Sequence, residues 1–145
     1  MHKLYEQSYL SNYNPKQINS IGCVYPSTNV YFNIGRLAYI KCENFFTAKE
    51  VHKDACKMLG ENNEIAFVKD LCVNLGNISR IHLDDRSKSN SSAVEIYYKD
   101  GSVDKVPCAS SKDSRLTYGS LSYRFQCYKD AQNRNSGVHN DEFDI

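Results

Sequence analysis

A regular alternation of apolar and polar positions begins near residue 21. Cys23-Val24-Tyr25, Val30-Tyr31-Phe32-Asn33-Ile34 and Leu37-Ala38-Tyr39-Ile40 are short runs rich in β-branched and aromatic side chains. Pro26-Ser27-Thr28-Asn29 and Gly35 separate them, and such residues form turns rather than strands. Two or three short strands are predicted. The period then lengthens: Ala48, Val51, Ala55, Met58 and Leu59 recur at helical spacing while Lys49, Lys53, Asp54 and Lys57 lie off that stripe. A helix over about 48–59 with one buried face is expected. Thr47 and Glu50 stand at the spacing of a reciprocal cap, Phe45 and Phe46 precede it as a staple, and Gly60 is placed as a left-handed stop.

Beyond the helix, Ile65 to Val73 is apolar enough for one central strand. In Ile78-Ser79-Arg80-Ile81-His82-Leu83, residues Ile78, Arg80 and His82 alternate with Ser79, Ile81 and Leu83, as in a half-buried strand. Val94 to Val106 reads as a hairpin turning at Lys99-Asp100-Gly101, which sets Glu95 opposite Lys105 and Tyr97 opposite Val103. Pro107 should end its second strand or confine it to a sheet edge. A last hairpin is expected from Leu116-Thr117-Tyr118 and Leu121 to Tyr128 through Gly119-Ser120, with Leu121, Tyr123, Phe125 and Cys127 on one face. The fold class that follows is α+β, a mainly antiparallel sheet of about 6–8 short strands packed on one amphipathic helix.

Around this body the periodicity fades. Residues 1–20 are expected to form an N-terminal arm in which Tyr5, Tyr9 and Tyr13 recur every fourth position, 21–128 a single domain, and 129–145 a polar flexible tail. The chain has 145 residues with 18 Lys+Arg against 17 Asp+Glu, a net charge of +1. That balance lacks the basic excess that drives phosphate-dominated binding, so nucleic acid is the less favoured partner. No apolar run approaches the ~18 residues that would span a bilayer, and no membrane association is expected.

Composition opens one question without closing it. Six cysteines, Cys23, Cys42, Cys56, Cys72, Cys108 and Cys127, could staple a secreted domain as three bridges. Asn77-Ile78-Ser79 and Asn90-Ser91-Ser92 are glycosylation acceptor patterns that suit the same compartment. The start of the chain, however, lacks the apolar core of a signal peptide. A cytoplasmic or virion-associated protein is the expectation from that start, a secreted one if the cysteines are bridged.

Local signatures of chemistry are few. Nucleotide-binding glycine loops, the nucleophile elbow, H-E-x-x-H and C-x-x-C are all missing from the sequence. Neither a cofactor nor a metal is therefore expected. The only catalytic candidates are His82 with Asp84 and Asp85, an imidazole beside two carboxylates that could serve as a base. Candidate binding residues are Tyr97, Tyr98, Arg115 and Arg124, since tyrosine offers large contact area with little entropy to lose. The expected function is a small, non-enzymatic interaction protein of accessory or host-interaction type, phage or viral in character, binding a protein partner or its own copy through a tyrosine-rich sheet. A small ligand is a further option for the same surface. Two alternatives stand beside it: a secreted, disulfide-stapled effector or toxin-like domain of ribonuclease-like build, and a single-stranded nucleic-acid binder.

Overall fold

Strand β1 (Ser20–Val24) is the centre of the first sheet because its two halves pair with different neighbours. Ser20 and Ile21 face Val73 and Cys72 of β5 (Leu71–Asn74), and Gly22, Cys23 and Val24 face Asn33, Phe32 and Tyr31 of β2 (Val30–Ile34). With β3 (Ala38–Cys42) and β4 (Ile65–Val68) outside these, the order is β3-β2-β1-β5-β4, every pairing antiparallel. The second sheet has three strands in the order β6 (Ile78–Asp84), β7 (Ala93–Tyr98) and β8 (Val103–Pro107). Among the described residues two α-helices complete the α+β fold, α1 (Phe45–Asn62) and α2 (Ser111–Asn135). This computed structural model describes residues 14–24, 30–34, 38–42, 45–85 and 92–135. The expected tyrosine stripe Tyr5-Tyr9-Tyr13 and the turn Pro26–Asn29 lie outside them.

Contacts divide the chain into two compact units, Met1–Ile78 with Tyr98–Asp100, and Ser79–Tyr97 with Gly101–Ile145. In the first, α1 lies against β1, β2 and β3. Ala55, Cys56 and Leu59 are buried along it, while Lys49, Lys53 and Lys57 are exposed, as the helical period requires. Ile21, Ile34 and Val73, each 0 % exposed, are part of the core.

Both expected ends of α1 are displaced. The helix starts at Phe45, so Thr47 falls inside its first turn instead of at the cap, and it passes through Gly60 to Asn62. Two side-chain amides explain the later stop. Asn62 Nδ2 donates to the Met58 carbonyl (3.3 Å) and Asn63 Nδ2 to the Leu59 carbonyl (3.1 Å), which satisfies acceptors that a helix end leaves free. Gly60 serves a steric purpose, since a Cβ there would come within 3.1 Å of Ile65 Cδ1.

The single strand expected from Ile65 to Val73 is instead a hairpin of β4 and β5. Val68 pairs with Leu71 across the two-residue turn Lys69-Asp70, and Lys69 takes the left-handed conformation (φ 56°) that such turns need. Nothing in the local composition signals this, because lysine rarely adopts that geometry.

Asparagines hold residues 14–19 to the rest of the first unit. Asn63 Nδ2 donates to the Pro15 carbonyl (3.2 Å), Asn74 Nδ2 to the Ile18 carbonyl (3.1 Å), and Asn77 Nδ2 to the Lys16 carbonyl (2.9 Å) and Asn19 Oδ1 (3.0 Å). Asn19 Nδ2 in turn donates to Asp100 Oδ2 (2.9 Å). Each amide meets a backbone or side-chain acceptor that regular pairing does not use. Ile18, 3 % exposed, is packed into the core by this attachment. The Asn77 nitrogen to which a glycan would be joined is one of these donors. Asn90 lies outside the described residues.

In the second unit the hairpin has the expected register, with Glu95 opposite Lys105 and Tyr97 opposite Val103. Gly101 sits at φ 92° in its loop, a position that side chains other than hydrogen rarely tolerate. Pro107 is the last residue of β8, which is an edge strand of this sheet.

The last expected hairpin is corrected by α2. Its start carries a cap that was readable as Ser110-x-x-Asp113: Ser110 Oγ accepts from the Asp113 amide (3.1 Å), and Asp113 Oδ2 accepts from the Ala109 amide (2.9 Å). Contacts four residues apart then recur, with Lys129 over the Phe125 ring at 4.5 Å and Gln126 Nε2 donating to Asp130 Oδ1 at 3.0 Å. Tyr123, expected to share an inner face with Leu121, is 70 % exposed against 3 % for Leu121, because 100° per residue separates what 180° would alternate. Residues 129–135 are the final turns of this helix, and 136–145 lie outside the described residues.

Gly119 is an exposed mid-helix residue, and a Cβ there would meet nothing within 4 Å. Gly119→Ala is expected to raise the unfolding free energy by about 1 kcal/mol by restricting the unfolded chain. A urea midpoint that fails to rise would contradict a helix at this position.

Candidate functional site

The outer face of the three-stranded sheet gathers the most chemistry in the second unit. Strand alternation brings Arg80 and His82 of β6, Glu95 and Tyr97 of β7, and Val103 and Lys105 of β8 to one side. These form two cross-strand rungs. In one, the Arg80 guanidinium lies 3.8 Å from the centre of the Tyr97 ring, and Tyr97 is opposite Val103, which is 43 % exposed. In the other, His82 Nε2 lies 4.0 Å from Glu95 Oε1, and Glu95 is opposite Lys105. The Tyr97 hydroxyl ties the rungs together by donating to Glu95 Oε1 at 3.2 Å.

Tyr97 is thus held on two sides, its ring stacked by a cation and its hydroxyl bonded to a carboxylate. Such a side chain has little rotamer freedom left to lose on binding. Tyr98 points to the other side of the strand and is 3 % exposed, so it packs instead of presenting itself.

The three catalytic candidates are not brought together. His82 is turned to Glu95 on the outer face, whereas Asp85 serves the start of α2. Asp85 Oδ1 accepts from Ser111 Oγ (2.6 Å) and Ser92 Oγ (3.4 Å), and its Oδ2 from Arg115 Nη1 (3.0 Å). The Ser111 hydroxyl foremost, with Arg115 beside it, holds the Asp85 carboxyl below the usual carboxylate range. Asp84 is half-buried at the end of β6. Arg115 is committed to this ion pair, and Arg124 is exposed on α2.

A second cluster, not anticipated as a site, lies in the first unit beneath α1. His52 and Cys56 are one helical turn apart on its inner side, with Cys56 Sγ 3.6 Å from His52 Nε2 and 3.9 Å from Nδ1. The Cys72 side chain of β5 hydrogen-bonds to Cys56. His52 Nε2 also lies 3.2 Å from the Ile21 carbonyl, and the backbone and charge of Asp70 reach the ring as well. Burial keeps the His52 pKa below its ordinary value, so the imidazole is neutral near pH 7. The Cys56 hydrogen bond draws the Cys72 thiol pKa down against the effect of burial. The spacing 52, 55, 56 and 59 is a full helical face, which was the available signal.

Cys56, Cys72, Cys108 and Cys127 are free thiols in the structure. Among the described residues no group of three or more His, Cys, Asp or Glu side chains is placed to hold a metal ion. No described helix is long and apolar enough to cross a membrane. Comparison with protein-family models, with curated proteins and with solved structures finds no match to this chain.

Proposed function

We propose that this chain is a small interaction protein that binds another protein through the outer face of β6, β7 and β8. The observation that carries the reading is the pre-positioned Tyr97, stacked on Arg80 and bonded to Glu95. Tyrosine and arginine dominate the energetics of many protein interfaces, above all when their conformation is set in advance. Exposed Val103 beside the ring supplies apolar area, and the rungs present charges of both signs. The partner surface should accordingly offer an apolar patch ringed by mixed charges. Thiols not joined in disulfides at Cys56, Cys72, Cys108 and Cys127 favour a reducing compartment, in keeping with a cytoplasmic or virion-associated role.

The mixed signs of the rungs favour a protein over a nucleic acid, because Glu95 offsets Lys105 where a strand backbone would need cations alone. Site-specific photocross-linking from position 103 identifies the partner, whether another protein or a second copy. Affinity for the purified partner is then measured with variants. Tyr97→Ala should weaken binding by about 10- to 100-fold while leaving the melting temperature nearly unchanged. Arg124→Ala, on α2, should stay within about twofold. Equal affinity of Tyr97→Ala and the native chain would remove the sheet face as the site. Tight, steeply salt-dependent binding of a single-stranded oligonucleotide, lost in Tyr97→Ala, would replace the protein partner with a nucleic acid.

A further inference from the structure

Two thiols and an imidazole linked through Cys56 are more than the core of a small domain requires. Cys56 is 3 % exposed and Cys72 0 %, and buried cysteines elsewhere act as small hydrophobic groups. Here Cys72 is the cross-strand partner of Ile21, whose carbonyl lies 3.2 Å from His52 Nε2, and the Cys56 sulfur lies 3.6 Å from that same nitrogen, so helix and strand bring the two cysteines to one ring, where the side chain of Cys56 reaches Cys72. We propose that Cys56 and Cys72 form an oxidisable dithiol, with His52 as the proton acceptor, that closes to a disulfide on reaction with a peroxide.

The arrangement assigns each group a part. A neutral imidazole has one N–H, and in the proposed tautomer Nε2 donates to the Ile21 carbonyl 3.2 Å away. Nδ1 is then the bare nitrogen, 3.9 Å from the Cys56 sulfur and able to take its proton. The imidazolium that results would be supported by the carbonyls of Ile21 and Asp70 and by the Asp70 charge. The Cys56 hydrogen bond favours ionisation of the Cys72 thiol, against the effect of its burial.

The reaction balances as follows. The Cys72 thiolate attacks one peroxide oxygen, the O–O bond breaks, and hydroxide leaves and takes up the proton that Cys72 gave up on ionising. Cys72 becomes a sulfenic acid. Cys56 passes its proton to His52 Nδ1, its sulfur attacks the sulfenic sulfur, and the S–O bond breaks. The departing hydroxide recovers the proton from His52 as water. In sum, two thiols and hydrogen peroxide give one disulfide and two waters. Near-complete burial restricts access in the folded chain to an oxidant of about that size, so a larger thiol reduces the bridge only once the site opens.

The test uses the full reduced chain treated with hydrogen peroxide, then alkylated and mapped by mass spectrometry without reduction. A peptide joining Cys56 to Cys72, reversed by dithiothreitol, is the expected product. Recovery of both as free thiols after Cys127 has been oxidised would overturn the proposal. A bridge from either cysteine to any other would do the same. In Cys56→Ser, Cys72 should stop at the sulfenic acid and be trapped by dimedone, whereas a disulfide of Cys72 in that variant would refute the pairing. His52→Asn should slow closure by about tenfold while leaving oxidation of Cys127 unchanged; an unaltered closure rate would show that His52 accepts no proton.

Discussion

Asn74→Leu is expected to lower the unfolding free energy by about 3 kcal/mol, although leucine is the more hydrophobic residue. Asn74 is 2 % exposed and uses both ends of its amide. Nδ2 donates to the Ile18 carbonyl at 3.1 Å, and Oδ1 accepts from the Gly76 amide at 3.1 Å at the start of the Leu75–Asn77 turn. Leucine leaves the Gly76 amide without its acceptor and the Ile18 carbonyl with only the longer bond from Asn77 Nδ2 (3.4 Å), and a buried polar group so stranded costs about 1–3 kcal/mol. Chemical denaturation followed by circular dichroism measures the loss. Asn74→Asp supplies the internal check. At neutral pH its carboxylate can still accept from Gly76 but opposes the Ile18 carbonyl, so the native state raises its pKa. Stability should therefore increase as the pH falls through that raised value towards the pKa of the unfolded chain, the reverse of an ordinary paired carboxylate. A variant whose stability is flat with pH, or an Asn74→Leu chain as stable as the native one, would show that the amide holds nothing together.

Ile96→Ala should cost about 3–4 kcal/mol in the second unit. Ile96 is 0 % exposed in β7, on the side of the strand opposite Glu95 and Tyr97. Removing three carbons there gives up transfer free energy and leaves a void that a sheet strand can only partly close. A domain of this size has a total stability of about 5–15 kcal/mol, so the change is a large fraction of it. Ile96→Val should cost only about 1 kcal/mol. The adjacent Tyr97→Ala lies on the outer face and should change stability by less than about 1 kcal/mol, because the ring is half in solvent already. Similar losses at positions 96 and 97 would mean that the two faces of β7 are not inside and outside as described.

Much of this fold could be read from periodicity where strand and turn signals agree. Asp100-Gly101 between alternating runs placed the β7–β8 hairpin and its register, and the stripe from Ala55 to Leu59 placed the inner side of α1. Where two periods compete the reading failed. Leu121, Tyr123, Phe125 and Cys127 satisfy a two-residue repeat, yet Ser114, Tyr118, Leu121, Phe125 and Tyr128 satisfy a helical one, and the Ser110-Asp113 cap decides for the helix. Gly119-Ser120 then looked like a turn only because the strand assignment needed one. The outer sheet face was partly visible through Tyr97 and His82, but Arg80 and Glu95 gain meaning only from cross-strand contact. Cys56 and Cys72 are sixteen positions apart and meet only because β5 lies beneath α1's inner residues, a pairing that no local spacing encodes.

The attachment of residues 14–19 by carboxamides has a consequence for how the protein responds to its medium. The bonds from Asn63, Asn74 and Asn77 join uncharged groups. Mobile ions screen the Coulomb attraction between exposed charges, but hydrogen bonds between neutral dipoles carry no net charge to screen. Concentrated salt should loosen the Asp85–Arg115 clasp at the start of α2 while leaving these amide contacts in place. The asparagine-rich composition of the chain thus gives its anchoring region a set of neutral bonds that ionic strength does not weaken, beside the bond from Asn19 to the Asp100 carboxylate, which it can weaken.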